Sequence, residues 1–213
     1  MTVTLVDHMG SDLSVVNAAR VSFAKVHKEF KDGADTKLIR YLAKHNHWSP
    51  FGHASIQFHI NAPVFVARQL VKHQVGLTWN EVSRRYVDIE PEFYTPDVWR
   101  GVAENKKQGS SEEEIDINPR HDMVDDYQKV LSTTKWTYEE LLRKGVCPEQ
   151  ARMVLPQSMM TEWYWSGTLY AFARVCNLRC KDDAQKETQD VGWNIDKHAR
   201  ELFPASWRAL RDE

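Results

Sequence analysis

Ala67-Arg-Gln69-Leu70-Val71-Lys72-His73-Gln74-Val75-Gly76-Leu77-Thr78-Trp79-Asn80-Glu81-Val82-Ser83-Arg84-Arg85-Tyr86 is the stretch on which the reading of this chain turns. It opens as the end of a helix running from Val64 to about His73. Pro63 suits its first turn, Phe65, Val66, Leu70 and Val71 face a core, and Gln69, Lys72 and His73 take a more polar side. A glycine turn follows, then a carboxylate and a hydroxyl ahead of two arginines. Arginine forks grip phosphate in a bidentate manner, and Gln, Asn and Ser side chains read the edges of a flat ring. A solvated basic helix and loop is the plainer alternative. Val75, Leu77 and Trp79 among the polar groups favour a pocket.

On the N-terminal side of this stretch, Thr2–Val6 alternates β-branched and apolar residues and reads as a strand, and His53–Ile60 reads as a second. Gly10-Ser11-Asp12 offers a turn and a cap for a helix over Leu13–Ala19. Asp35 or Thr36 can cap another through Lys37–Lys44, with Leu38, Ile39 and Leu42 on one face. Residues 101–122 are polar and read as a solvated surface loop. A long helix is expected from about His121 to Lys144, closed by Gly145, and a short one near Pro148. Thr161–Thr168 reads as a strand, and Leu169–Arg179 and Asp183–Leu202 as two helices that end before Pro204. The pattern is α+β, a mixed sheet packed with helices in a single domain over 1–213. It shows neither βαβ alternation nor a glycine-rich nucleotide loop.

Composition sets the frame. With 213 residues, 42% hydrophobic and 27% charged, the chain is long enough to bury a sizeable core. A net charge of −2 does not suit a protein that binds nucleic acid over its whole surface, so any affinity for phosphate must come from local clusters. No apolar run approaches a membrane span. Cys147, Cys176 and Cys180 do not form a metal or redox motif and read as reduced thiols of a cytoplasmic protein.

Two further clusters carry chemistry. His45-Asn46-His47-Trp48-Ser49-Pro50-Phe51-Gly52-His53 invites a metal, but no matching carboxylate or cysteine set accompanies the imidazoles. Histidines packed at a helix-to-strand junction, or a polar ligand loop, are the competing readings. The last cluster joins Glu149–Pro156 to Asn177–Glu187. Arg152 stands in an apolar run, where its guanidinium needs a partner, either an internal ion pair or a ligand. Arg179 stands at a helix end, where the dipole favours a cation.

The order and wording of these clusters resemble the flavin-dependent thymidylate synthase family. The likeness runs from Gly10-Ser-Asp-Leu-Ser-Val-Val-Asn-Ala-Ala-Arg-Val-Ser22-Phe23, through His47-Trp-Ser-Pro-Phe-Gly-His53, Pro63–Gln69 and Asn80–Tyr86, to Leu178-Arg179 and Ala184-Gln185. The resemblance implies reductive methylation of dUMP to dTMP. The carbon would come from 5,10-methylenetetrahydrofolate and the hydride from FAD reduced by NADPH. It also implies a homotetramer whose active sites are shared between subunits, with no nucleic-acid or membrane partner and no metal.

By the same resemblance, Gln69, Leu70, Val71, Lys72, Glu81, Val82, Ser83, Arg84, Arg85, Arg152 and Arg179 match positions that hold dUMP. Arg179 matches the catalytic arginine, which favours ionisation of the pyrimidine at N3. Ser22, Ser49, Lys72, His73, Gln74, Glu81, Thr168, Tyr170, Arg174 and Leu178 match FAD contacts, and His47 and Tyr86 lie where folate and nicotinamide approach. The chain departs from the family pattern at several points. The usual Arg-His-Arg, seven residues, then Ser becomes Lys72-His73-Gln74, eight residues, then Ser83. Arg84 replaces a frequent glycine, Gly52 a common acidic residue, and Thr168 and Tyr170 a common Asn and Arg. Two other readings remain open: a non-catalytic nucleotide or nucleic-acid binding module built on the Lys72–Arg85 stretch, and a hydrolase using a metal held by His45, His47 and His53.

Overall fold

The computed structural model describes residues 1–87, 89–104, 109–115 and 123–211. Strand β1 (Thr2–Met9) leads into α1 (Asp12–Arg20), where the Ser14 hydroxyl accepts from the Ser11 N–H at 3.0 Å. Helix α2 covers Asp32–Lys44, five residues more than expected at its start, and Asp35 is not its cap. Its carboxylate is fully buried and accepts from Arg20 at 2.8 Å and from the Lys31 N–H at 2.8 Å, with His27 Nδ1 at 3.0 Å. Burial pushes the Asp35 carboxyl up, but these hydrogen bonds outweigh it and hold its pKa at about 2.

Strand β2 (Ser55–Pro63) buries Ile56, Phe58 and Ile60 and runs on through Pro63, which is extended and precedes α3 (Val64–Leu70) instead of lying in its first turn. Helix α3 stops three residues short of His73. Val66 and Leu70 are fully buried, while Phe65 and Val71 are only half-buried. The segment after Gly76, to which the sequence assigns no element, forms β3 (Leu77–Glu81). Leu77 and Trp79 are half-buried and alternate with exposed Thr78 and Asn80, and that period of two is what a half-exposed strand needs.

Residues read as a surface loop contain a two-stranded ladder, β4 (Arg100–Val102) with β5 (Ser110–Glu114). The remainder of that expected loop, and the expected start of the long helix at His121, lie outside the described residues. Helix α4 is seen over Met123–Arg143, followed by α5 (Pro148–Ala151), β6 (Met160–Thr168) and α6 (Leu169–Arg179). Helix α7 (Lys186–Leu202) starts later than expected, with Gln185 at its cap. Pro204, read as a terminator, opens one more helix, α8 (Pro204–Leu210). Both main-chain N–H groups at its start are taken by the buried Asp12 carboxylate, Ala205 at 2.8 Å and Ser206 at 2.8 Å.

The main sheet has the order β1-β2-β6-β3, and every pairing in it is antiparallel. The expected mixed sheet is therefore corrected. Strands β2 and β3 do run the same way, but β6 is inserted between them, so they never pair. One hydrophobic core covers the sheet: Phe58 of β2 and Trp165 of β6 meet Phe172 of α6 edge-on, with α7 and Trp207 of α8 behind. Each such side chain stabilises by roughly 1.5–3 kcal/mol when fully buried. Trp79 stacks on Trp163 with ring centroids 4.3 Å apart and anchors β3 to the same core.

Candidate active site

The turn after α3 is shaped by Gly76, whose φ of +79° admits no ordinary side chain and whose added Cβ would lie 3.0 Å from that of Ala171. This close approach presses the Lys72–Gly76 turn against the start of α6, where Thr168 caps the helix by accepting from the Ala171 N–H at 3.2 Å. Two residues separated by more than a hundred positions then meet: Arg179 Nε donates to His73 Nε2 at 3.0 Å. Partial burial, then the charges of Arg179 and Arg174, press the His73 pKa down to about 4. At neutral pH the ring is uncharged, accepts at Nε2 and holds the guanidinium in one orientation.

Gln69, on the last turn of α3, donates to Gln185 and accepts from the Thr188 hydroxyl at 3.3 Å. Gln69 and Gln185 stand between two adjoining cavities. One, of about 460 Å³, carries Arg100, Arg179 and Lys186 on its wall; the other, of about 410 Å³, carries Arg68 and Lys72. The walls are cationic and rich in amides, which suits an anion attached to a flat polar ring.

A third cavity, of about 590 Å³, lies on the far side of α6 and is lined by Arg40, Lys44, Asn46, Tyr170, Arg174 and Asn177. Of the candidates for flavin, Tyr170 and Arg174 line it, and Trp48 in the histidine stretch sits 6.4 Å from the Tyr170 ring. Cations, amides and a phenol, with no carboxylate on the wall among the described residues, suit a diphosphate joined to an aromatic system, so these residues fit FAD. His73 and Arg174 interact electrostatically, which ties this side of α6 to the first cavities. Gln74, Leu178, Ser22, Ser49 and His47 are exposed. His45 and His47 pack around Tyr41, with ring centroids 4.4 Å and 5.9 Å from it. Among the described residues no three His, Cys, Asp or Glu side chains are placed to hold a metal ion, which removes the ground for the metal-hydrolase reading.

The remaining candidates collect at the other end of β3. Glu81 accepts from the Thr161 hydroxyl at 2.8 Å, and the Val82 N–H donates to the Glu162 carbonyl at 3.0 Å. Arg85 donates to the Ser83 hydroxyl at 3.3 Å, lies 3.8 Å from Glu149 and has its guanidinium 5.0 Å from the Tyr86 ring centre. Arg84 bonds the Ile89 carbonyl. Arg152, in the helical turn Arg152–Val154, is exposed and forms no ion pair among the described residues, so the internal-partner reading is corrected. The run around it is apolar in sequence but lies at the surface, with Met153 76% exposed. The cavities bordered by Gln69, Lys72 and Arg179 are not lined by Ser83, Arg84, Arg85 or Arg152. Within one chain the candidates for dUMP therefore form two groups, one lining these cavities and one gathered beyond the end of β3.

Sequence reasoning missed Arg100, Arg40 and Lys44, and gave Glu187 no role although it closes the last cluster. Arg100 and Glu187 are 87 positions apart and joined by a 2.5 Å contact. No local pattern announces such a pair.

The profile of the family described as "Thymidylate synthase complementing protein" matches residues 4–205. A flavin-dependent thymidylate synthase of Thermus thermophilus is 38% identical over 210 residues, covering 99% of this chain and 75% of that protein. One from Thermosipho africanus is 38% identical over 207 residues, covering 97% and 89%. The crystal structure of a UMP/dUMP methylase from Streptomyces cacaoi bound with 5-Br dUMP superimposes with a TM-score of 0.88 at 32% identity, covering 99% of this chain and 94% of that one. With a matched profile over nearly its whole length and relatives of this identity and coverage, the chain belongs to the flavin-dependent thymidylate synthase family.

Proposed function

We propose that this protein methylates dUMP to dTMP, taking the carbon from 5,10-methylenetetrahydrofolate and the reducing equivalents from NADPH through FAD. The observation that carries this reading is the Arg179–His73 pair beside the Gln69 cavities. A guanidinium held by a neutral imidazole is a fixed positive charge in a partly closed site. Beside a uracil ring it stabilises negative charge drawn onto the pyrimidine and makes C5 more nucleophilic, and because it is already oriented it needs no reorganisation as charge develops. Gln69 reads the ring edge, and Lys72, Ser83, Arg84, Arg85 and Arg152 hold the phosphate. FAD, when bound along Tyr170, Arg174, Thr168, His73 and Gln74, with Ser22, Ser49, Glu81 and Leu178 at its periphery, supplies the hydride. His47 and Tyr86 face the approach of folate and nicotinamide.

The division of the candidates into two groups within one chain supports a homotetramer in which Ser83, Arg84, Arg85 and Arg152 of one subunit complete a site begun by Gln69 and Arg179 of another. Exposed apolar side chains such as Val130 (58%), Trp136 (63%) and Met153 (76%) offer surface for such contacts. The protein is assigned to the cytoplasm, without membrane or nucleic-acid partners; no described helix is long and apolar enough to cross a membrane.

The test is anaerobic turnover with FAD, NADPH and methylenetetrahydrofolate, with UMP run beside dUMP. Formation of dTMP, together with bleaching of the flavin spectrum by NADPH, is expected. Arg179→Ala should lose nearly all turnover while keeping its circular dichroism. Absence of dTMP from the wild type, or normal turnover by the variant, would overturn the assignment.

A further inference from the structure

A chain of hydrogen bonds runs behind Gln69 and ends on a buried carboxylate. Glu187, on the first turn of α7, is 5% exposed. Arg100 Nη2 donates to its Oε1 at 2.5 Å, while Arg100 Nε donates to the Ser110 hydroxyl at 2.7 Å. The second carboxylate oxygen accepts from Gln185 Nε2 at 3.1 Å. Gln185 Oε1 in turn accepts from Gln69 Nε2, and Gln69 Oε1 accepts from the Thr188 hydroxyl at 3.3 Å.

The direction of this chain has one source. An amide side chain presents a donor on one side and an acceptor on the other, and either arrangement occupies the same space. An ionised carboxylate only accepts. Burial alone would raise the Glu187 pKa, but the hydrogen bond and charge of Arg100 prevail and keep it below the ordinary carboxylate range. With Glu187 charged, Gln185 must turn its NH₂ inward, its carbonyl then faces Gln69, and Gln69 must answer with its own NH₂. One N–H and one carbonyl lone pair of Gln69 are left for a ligand, in a fixed order. Uracil offers O4 as an acceptor and N3–H as a donor; cytosine offers the reverse, an amino donor and an unprotonated N3.

We propose that Glu187, paired with Arg100 and acting through Gln185, is a positioning residue that sets the polarity of the Gln69 amide and thereby makes the site select uracil over cytosine nucleotides. This rests on the reading of Gln69 as the reader of the ring edge. A neutral amide at position 187 could donate as well as accept. Both glutamines could then reverse together, with the Thr188 hydroxyl accepting from Gln69, and the reversed edge complements cytosine.

The experiment is calorimetric titration of the FAD-loaded protein with dUMP and with dCMP. The wild type should prefer dUMP strongly, since a site built around paired donors and acceptors rejects a ligand of opposite polarity. Glu187→Gln should lower that preference at least about tenfold, with weaker dUMP and unchanged or tighter dCMP binding. Gln185→Met keeps the Arg100–Glu187 ion pair and removes only the relay, so it should show the same loss even if Glu187→Gln folds poorly. A purely structural role would lower the unfolding temperature and leave the ratio of the two affinities intact; that result in Gln185→Met overturns the proposal. Gln69→Ala separates the two levels. If it binds dUMP normally, the reading of Gln69 falls and the proposal with it. If it binds dUMP poorly while Gln185→Met discriminates like the wild type, only the relay is refuted.

Discussion

Replacing His73 by Gln tests whether the imidazole beside Arg179 is held neutral. Glutamine can still accept from Arg179 Nε, where His73 Nε2 now does so at 3.0 Å, but it cannot be protonated. In the folded chain His73 titrates at about 4 against an ordinary 6.5. Between those values the unfolded chain binds a proton that the folded chain refuses, so this group's contribution is fully present above pH 6.5 and is lost as pH falls towards 4. The full difference corresponds to about 3 kcal/mol at 1.36 kcal/mol per pH unit. The ring is only half-buried, so solvent screening brings this to about 1–2 kcal/mol. For a chain of this size the wild type should then lose roughly 2–8 °C more of its unfolding temperature between pH 7.5 and 4.5 than His73→Gln loses. Thermal unfolding followed by circular dichroism, at matched protein concentration because assembly shifts the midpoint, measures the difference. Parallel acid slopes for the two proteins would show that the folded chain does not hold His73 neutral.

Arg152→Ala should weaken dUMP binding at least about tenfold and move stability by less than about 0.5 kcal/mol, as expected of an exposed residue without an internal partner; a large drop in unfolding temperature with unchanged affinity would make it structural. Asp35→Asn should cost about 3 kcal/mol in denaturant unfolding, because it breaks a fully buried set of contacts to Arg20, His27 and the Lys31 N–H. With its folded pKa at about 2, the wild-type carboxylate's contribution persists above about pH 3.8 and fades only as pH approaches 2. Asp12→Ala strips the acceptor from two N–H groups at the start of α8 and should destabilise by about 2 kcal/mol, with little effect on ligand affinity.

Much of this molecule could be read from its residues because the signals are local. The alternation in Ser55–Pro63, the apolar face of α3 and the aromatic run of β6 each depend on a period of a few residues. What could not be read depends on partners far along the chain. Strand β3 was not foreseen because the Trp79–Trp163 stack that holds it spans 84 positions, and the antiparallel sheet follows from β6 being inserted between two earlier strands. Pro204 carries the same local signal whether it ends one helix or begins the next; the choice is made by Asp12 near the other terminus. At the site, Gln69, His73 and Arg179 were marked by family resemblance and are brought together by the fold, whereas the Arg100–Glu187 support had no mark of its own.

The division of the candidates into two groups within one chain has a genetic corollary. If catalysis draws one group from each of two subunits, a copy lacking Arg179 and a copy lacking Arg152 are each defective alone, yet are injured in different halves of the pocket. Co-expressed and randomly co-assembled, they should regain activity in about a quarter of the pockets, those that draw an intact half from each parent. Another quarter would carry both lesions. A lesion in one gene copy would thus spread through the mixed assemblies, and a second, different lesion would relieve it.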